Sequence, residues 1–255
     1  MAETVVDRWT GAALIRQRID RWSGSASVQQ RLGEAPAAAM DAPAGISGLV
    51  RRWRADSIAQ ANATAVASWP ALTGGVALTQ VTAGARPTYI TAGIGGQPTV
   101  RFAGTDDVLG ATTLPALPQP CTFVVVHKFN SVAAQSQIID TGTLQLLILP
   151  SQYDSWAGVD LVAGTPTTSA AVYSAVFNGG SSRALLNGTQ IATGDAGTQS
   201  AGAGTFDVGG RPASANRFAQ IDVSEILVYS KALSTAELST VHSYVQTRYG
   251  ITVAA

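Results

Sequence analysis

Leu185-Leu186-Asn187-Gly188-Thr189-Gln190-Ile191 reads as a strand, a two-residue turn and a second strand. Asn-Gly supplies the positive φ values that a type I′ turn requires, and the twist of that turn matches the strands it joins. Further short strands are predicted upstream, at residues 98–102, 122–129, 138–140, 144–149, 159–163 and 170–177, and downstream at 206–209 and 221–229. Within 122–129, Phe123, Val125 and His127 alternate with Val124 and Val126, the period of two that marks a strand. The joining segments are rich in Gly, Pro, Ser and Thr, as in Leu114-Pro115-Ala116-Leu117-Pro118-Gln119-Pro120. One helix closes the chain. Ser234 and Glu237 form a capping box worth about 1 kcal/mol, Leu238, Val241 and Val245 recur at helical spacing, and Gly250 supplies the stop. Many short strands with one terminal helix predict an antiparallel sandwich or jelly roll.

The 255 residues, 46% hydrophobic and 13% charged, suffice for one large core and an appendage. Sixteen basic and sixteen acidic side chains cancel, which argues against the dense cationic stripe that nucleic acid demands. Only Lys128 and Lys231 are lysines, and we read the arginine excess as the codon bias of a GC-rich genome. The single cysteine, Cys121, excludes an internal disulfide framework and a multi-cysteine zinc site, and its apolar run marks it as a buried thiol. No stretch approaches the roughly 20 apolar residues of a membrane span. Residues 1–9 carry charges where a secretion signal needs an apolar core. The expectation is synthesis in a host cytoplasm without membrane insertion.

Residues 1–47 differ from the rest. Val5, Trp9, Ala12, Ile15, Ile19 and Trp22 are spaced 4, 3, 3, 4 and 3, which predicts one apolar face of a helix. Gly11 weakens such a helix by about 1 kcal/mol. Ser23-Gly24-Ser25 ends it, and an Ala/Pro/Gly-rich linker follows with Pro36 and Pro43 as breakers. The chain is therefore expected to divide into an arm at 1–47 and a domain at 48–255. A lone stripe either packs on that domain or docks on another chain. The two tryptophans favour docking or oligomerisation through Val5, Trp9, Ile15, Ile19 and Trp22. The expected fold class is all-β: a two-sheet antiparallel jelly-roll sandwich with an N-terminal helical arm and a short C-terminal helix.

A series of short motifs carries a resemblance. Trp53-Arg54-Ala55-Asp56-Ser57, Val66-Ala67-Ser68-Trp69 and Arg86-Pro87-Thr88-Tyr89 resemble the start of laminin-G-like, concanavalin A-like domains of bacteria and phages. Pro98-Thr99-Val100-Arg101-Phe102-Ala103-Gly104-Thr105-Asp106-Asp107-Val108-Leu109 is similar to their VRFDG-x-DD-x-L segment, with Ala103 where Asp is usual. Leu185-Leu186-Asn187-Gly188, Val208-Gly209-Gly210-Arg211 and Ile221–Tyr229 with the helix after it resemble the family's later hairpin, strand and closing elements. The likeness runs in order over residues 50–252. It implies a two-sheet sandwich with a concave face, commonly a carbohydrate-binding or adhesion surface, of a kind that recurs on phage tails and head fibres. Fold alone does not settle function.

Gln220-Ile221-Asp222-Val223-Ser224-Glu225 resembles the Glu-x-Asp-x-x-Glu strand of jelly-roll glucanases. Glycoside hydrolysis with retention needs a carboxylate nucleophile, and the Gln220 amide cannot act as one. Asp106 and Asp107 are calcium candidates, or else cap a turn through their side chains. Asp140 and Asp207 stand too far apart in sequence to be joined to them. His127 and His242 are the only histidines, and no nucleophile elbow surrounds any Ser or Cys. Tyr153-Asp154-Ser155-Trp156 offers aromatic faces beside polar groups, as a sugar site needs, so Tyr153, Asp154 and Trp156 are the carbohydrate candidates. The alternative is a core Trp at a strand edge; Trp53 and Trp69 are read as core.

These readings lead to an expectation of a non-enzymatic virion protein of a phage or phage-like particle: a minor tail, head-fibre or decoration protein. Its arm would bind other virion proteins, its jelly roll would face host-surface glycan, and it would assemble in several copies. No cofactor is expected, calcium excepted. The alternatives are a carbohydrate-binding or adhesion module of a bacterial surface or secreted protein, and a jelly-roll glycoside hydrolase.

Overall fold

The computed structural model describes the backbone of residues 5–9 and 14–18, and residues 42–213 and 217–254 in full. The chain divides into two compact units, Met1–Ala38 and Ala39–Ala255. In the first, β1 (Val5–Trp9) and β2 (Leu14–Arg18) pair antiparallel, from Val5↔Arg18 to Trp9↔Leu14. This corrects the expected helical arm. Val5, Val6, Trp9 and Ile15 are residue types that favour strands, and Gly11, unfavourable inside a helix, stands between the two segments in sequence. The register also divides the expected docking face: Val5 and Trp9 occupy positions of one parity, whereas Ile15 lies opposite Arg8, of the other. Ile19 and Trp22 fall outside the described residues.

The second unit begins with β3 (Leu49–Arg54), β4 (Thr64–Ala65), β5 (Ser68–Trp69), β6 (Ala71–Thr73), β7 (Leu78–Thr79) and β8 (Thr88–Ile90). Then come β9 (Thr99–Ala103), β10 (Leu109–Ala111), β11 (Cys121–Phe129), β12 (Ser136–Asp140), β13 (Gln145–Leu149), β14 (Gln152–Trp156) and β15 (Asp160–Ala163). The last are β16 (Ala170–Phe177), β17 (Ser182–Leu186), β18 (Thr189–Gly194), β19 (Phe206–Val208) and β20 (Gln220–Tyr229), followed by helix α1 (Thr235–Tyr249).

These strands form two antiparallel sheets, as the sequence pattern predicts for a jelly-roll sandwich. One has eight strands in the order β15-β14-β13-β12-β19-β10-β7-β5. The other has ten, running β18-β17-β16-β11-β20-β9-β8-β4, with β3 paired to both β20 and β6. The β17–β18 hairpin turns as expected: Leu186 pairs with Thr189, and Asn187 and Gly188 have φ of 50° and 81°. The main core lies between the sheets and includes Trp53, Trp69, Phe102, Phe123, Phe177 and Phe206. A second core lies on the other side of the ten-stranded sheet, where Val124, Val126 and Leu227 meet Leu238, Val241 and Val245 of α1. Burial on both faces explains why the β11 sequence is nearly continuously apolar. Ser234 and Glu237 cap α1 reciprocally, and Gly250 ends it at a φ of 65°. The two sheets therefore differ outside. The helix covers one, whereas the other carries Asp140, Gln145, Asp154, Trp156 and Asp160.

Candidate functional site

Strands β13, β14 and β15 run side by side at one edge of the eight-stranded sheet. Gln145, Trp156 and Asp160 are directly opposite one another across the three, as are Leu147, Asp154 and Val162. Directly paired residues share a face, so these side chains emerge together while Tyr153 and Ser155 point into the sandwich. Arg211 and Arg217, from the segment between β19 and β20, join them with Gln135 and Leu149. All of these except Val162 line a cleft of ≈ 370 Å³, within the range of about 300–1,000 Å³ found for small-molecule sites.

The cleft is polar and electrostatically tense. Asp154 is only 2% exposed, and among the described residues no donor meets its Oδ1. Burial pushes its carboxyl up to about 7, and the Asp160 carboxylate beside it adds to the shift, against the Leu161 N–H and the Arg217 charge. Further along the sheet, Asp140 of β12 pairs directly with Asp207 of β19. Arg211 Nε lies 3.1 Å from Asp140 Oδ2. Burial raises Asp140, and burial with the Asp140 charge pushes Asp207 up to about 6. Gly110 forms the floor here: a Cβ at that position would come within 2.2 Å of Asp207 Oδ1. Two carboxylates that sequence distance kept apart are thus joined by strand order.

The structure separates the expected sugar-binding residues. Asp154 and Trp156 line the cleft, and Trp156 is partly exposed. Tyr153 does not, which corrects its reading as a stacking platform. It is 1% exposed, its hydroxyl lies 3.0 Å from His127 Nε2, and its ring stacks on Tyr173 at 4.6 Å. The tetrad lies within strand β14, so alternation sends Tyr153 inward and Asp154 outward. Asp160 and Gln145 could have been found from their places at the start of predicted strands. Gln135, Arg211 and Arg217 carried no such signal, because only the strand order brings them to Trp156.

The other motifs lie elsewhere. Asp222 accepts from Arg101 Nε and Nη2 at 2.7 and 2.8 Å, and from Asn130 at 2.9 Å. Glu225 is fully buried beneath α1, where Arg52 Nε at 2.7 Å, the Tyr244 hydroxyl at 2.8 Å and the Tyr249 hydroxyl at 2.7 Å converge on it. The glucanase-like motif therefore faces the side of the ten-stranded sheet turned away from the core, and Gln220 is exposed at its end. Asp107 accepts from the Ala103 N–H at 2.8 Å, and Asp106 accepts from the Thr105 hydroxyl at 2.9 Å. His242 meets the Ser174 hydroxyl at 2.9 Å, and burial pushes both histidines down to about 4. Cys121 is buried and its thiol is pushed up to about 12 by that burial. Trp53 and Trp69 are fully buried, as read from the sequence.

No family model and no curated protein sequence matches this chain. Its fold is similar to that of Trypanosoma rangeli sialidase, with a TM-score of 0.51 and 16% identity over 79% of this chain and 33% of that one. It is also similar to the binding domain of Paraclostridial Mosquitocidal Protein 1, with a TM-score of 0.56 and 10% identity over 77% of this chain and 52% of that one. A third similar structure is domain 4 of AbnA, a GH43 extracellular arabinanase from Geobacillus stearothermophilus, solved with arabinotriose. It gives a TM-score of 0.53 and 11% identity over 76% of this chain and 98% of that domain. The chain spans about a third of the length of the sialidase. At these identities the likeness is one of fold alone, a two-sheet antiparallel sandwich.

Proposed function

We propose that the second unit is a non-enzymatic carbohydrate-binding module whose site is the cleft beside Trp156. The observation that carries this reading is a partly exposed Trp ring next to a buried carboxyl with an unpartnered oxygen. A sugar presents an apolar ring face for the indole and hydroxyls for the polar groups around it. The arabinotriose held by the AbnA domain supports the same ligand class. Hydrolysis is disfavoured because the glucanase-like motif presents the Gln220 amide where a carboxylate nucleophile is needed.

An array of neutral and acidic oligosaccharides, followed by calorimetry, tests this. Trp156→Ala is expected to weaken any glycan found by about tenfold or more, the loss of one stacking platform, while the fold survives. Equal binding by the variant, or no glycan bound, sinks the proposal.

Placement on a phage-like particle is a separate proposal, supported by the sequence resemblance over residues 50–252. Light scattering of the full chain against residues 48–255 tests its assembly component: loss of oligomers on truncation supports it, and a monomer in both cases counts against it.

A further inference from the structure

We infer that Asp154, buried without a donor beside the acidic Asp160, meets its ligand as an uncharged carboxyl, so that the cleft selects neutral, hydroxyl-bearing sugar units over acidic ones. This rests on the carbohydrate reading above and adds to it a ligand class and a specificity-determining residue. The geometry is that of a buried acid pair. Asp154 on β14 and Asp160 on β15 are diagonal neighbours on one face, since Asp160 is opposite Trp156 and Asp154 opposite Val162. Asp154 is almost fully buried while Asp160 is exposed, so the proton is held by the inner member of the pair. The unpartnered Oδ1 belongs to a residue that lines the cleft. A neutral carboxyl can both donate and accept, which is what a sugar hydroxyl requires of its partner.

The charges around the pair point the same way. From the segment between β19 and β20, Arg217 acts on Asp154 and on Asp140, and Arg211 is paired with Asp140. β13 and the segment before β12 contribute Gln145, Leu147, Leu149 and Gln135, all uncharged. Inside the sandwich the Tyr173 phenol, raised by its burial and by the Asp154 charge, meets the Ser155 hydroxyl at 2.6 Å. Arg211 is offset by Asp140, and the exposed Asp160 lines the cleft beside Asp154, so an acidic sugar meets a like charge there. Neither histidine faces the cleft: His127 contacts Tyr153 in the core, and His242 lies against Ser174 on the helix side.

Titration calorimetry with arabinotriose, xylotriose, cellotriose, maltotriose and trigalacturonic acid, from pH 5.5 to 8.5, tests the inference. The full chain is expected to bind a neutral trisaccharide about tenfold or more tighter than trigalacturonic acid. Its affinity should fall above pH 7 by up to about tenfold per pH unit as Asp154 loses its proton. Asp154→Asn, which keeps a neutral group of the same shape, should flatten that profile. Asp160→Asn should move the midpoint to lower pH, because the carboxylate that holds the proton on Asp154 is gone. A purely structural role for either residue would move the melting temperature and leave the pH midpoint in place. Tighter binding of trigalacturonic acid, a flat wild-type profile, or an unchanged fall in Asp154→Asn overturns the inference and leaves the carbohydrate reading standing. Failure of all five probes, with a flat array, takes both away.

Discussion

Glu225 and Asp154 are both carboxyl groups buried on outward-turned positions of the two sheets, and they are solved in opposite ways. Beneath α1, Glu225 receives Arg52 and two tyrosine hydroxyls, so its charge has a donor in every direction the helix and β3 can supply. On the eight-stranded sheet, Asp154 has an acidic neighbour and an oxygen with no donor. A fold can hold a buried charge by pairing it or by neutralising it with a proton. The paired carboxylate ties a helix to a sheet and has no capacity left for anything else. The unpaired one is costly to the fold, and its hydrogen-bonding capacity is not used by any described residue. Buried polar groups of the second kind are the ones that mark sites.

The largest expected effect follows from the paired side. Glu225→Ala removes the carboxylate that Arg52, Tyr244 and Tyr249 share, and should cost about 3–5 kcal/mol of unfolding free energy, read as a lower urea midpoint. Glu225→Gln should cost less, since the amide oxygen still accepts. A loss below about 1 kcal/mol for the alanine variant would place Glu225 with Asp154 and dissolve the contrast.

The histidines give the next effect, and they act on the acid side. Both are held well below their ordinary value by burial. The unfolded chain binds their protons first, so stability is full above about pH 6.5 and falls as pH drops toward 4. The expected loss is about 1–3 kcal/mol per histidine across that window. Melting curves of His242→Asn against wild type check it: the variant's acid slope should be shallower by one proton.

Asp154 produces the opposite slope. Its carboxyl is raised, so the folded state holds the proton more tightly and stability falls as pH rises from about 4 through 7. Asp154→Asn should therefore be more stable than wild type by about 1–3 kcal/mol at pH 8, with the difference closing toward pH 4. A destabilised variant at pH 8 would mean that the charged form is held by donors, as in Glu225.

These two carboxylates also show where sequence reasoning reached and where it stopped. The sandwich was legible because its signals are local: the Asn187-Gly188 turn, the alternation in 122–129 and the Ser234–Glu237 box each act within a few residues. The arm at Val5–Trp9 and Leu14–Arg18 misled because apolar spacing of three and four also admits a strand pair, and the β-branched and aromatic types decide between them. Trp156 and Asp154 were found by type, and Tyr153 was misplaced because the segment was not recognised as a strand, whose alternation separates neighbours onto opposite faces. The rest of the cleft depends on strand order, with Asp207 beside Asp140 across 67 residues of chain. That information is set by packing of the whole sandwich rather than by any short stretch.

The smallest expected effect sharpens the comparison most directly. Gln220→Glu restores the first carboxylate of the glucanase-like motif on β20, at an exposed position where the change should alter stability by no more than about 0.5 kcal/mol. Reducing-sugar release from β-glucans should stay at background. The other two acids of the motif are already committed, Asp222 to Arg101 and Asn130, and Glu225 to the cluster beneath α1. A glycosidic bond cannot reach a carboxylate that a helix covers, whatever stands at position 220. Hydrolysis by Gln220→Glu would show that α1 leaves its sheet far enough to free Glu225, and the paired carboxylate would then be the functional one.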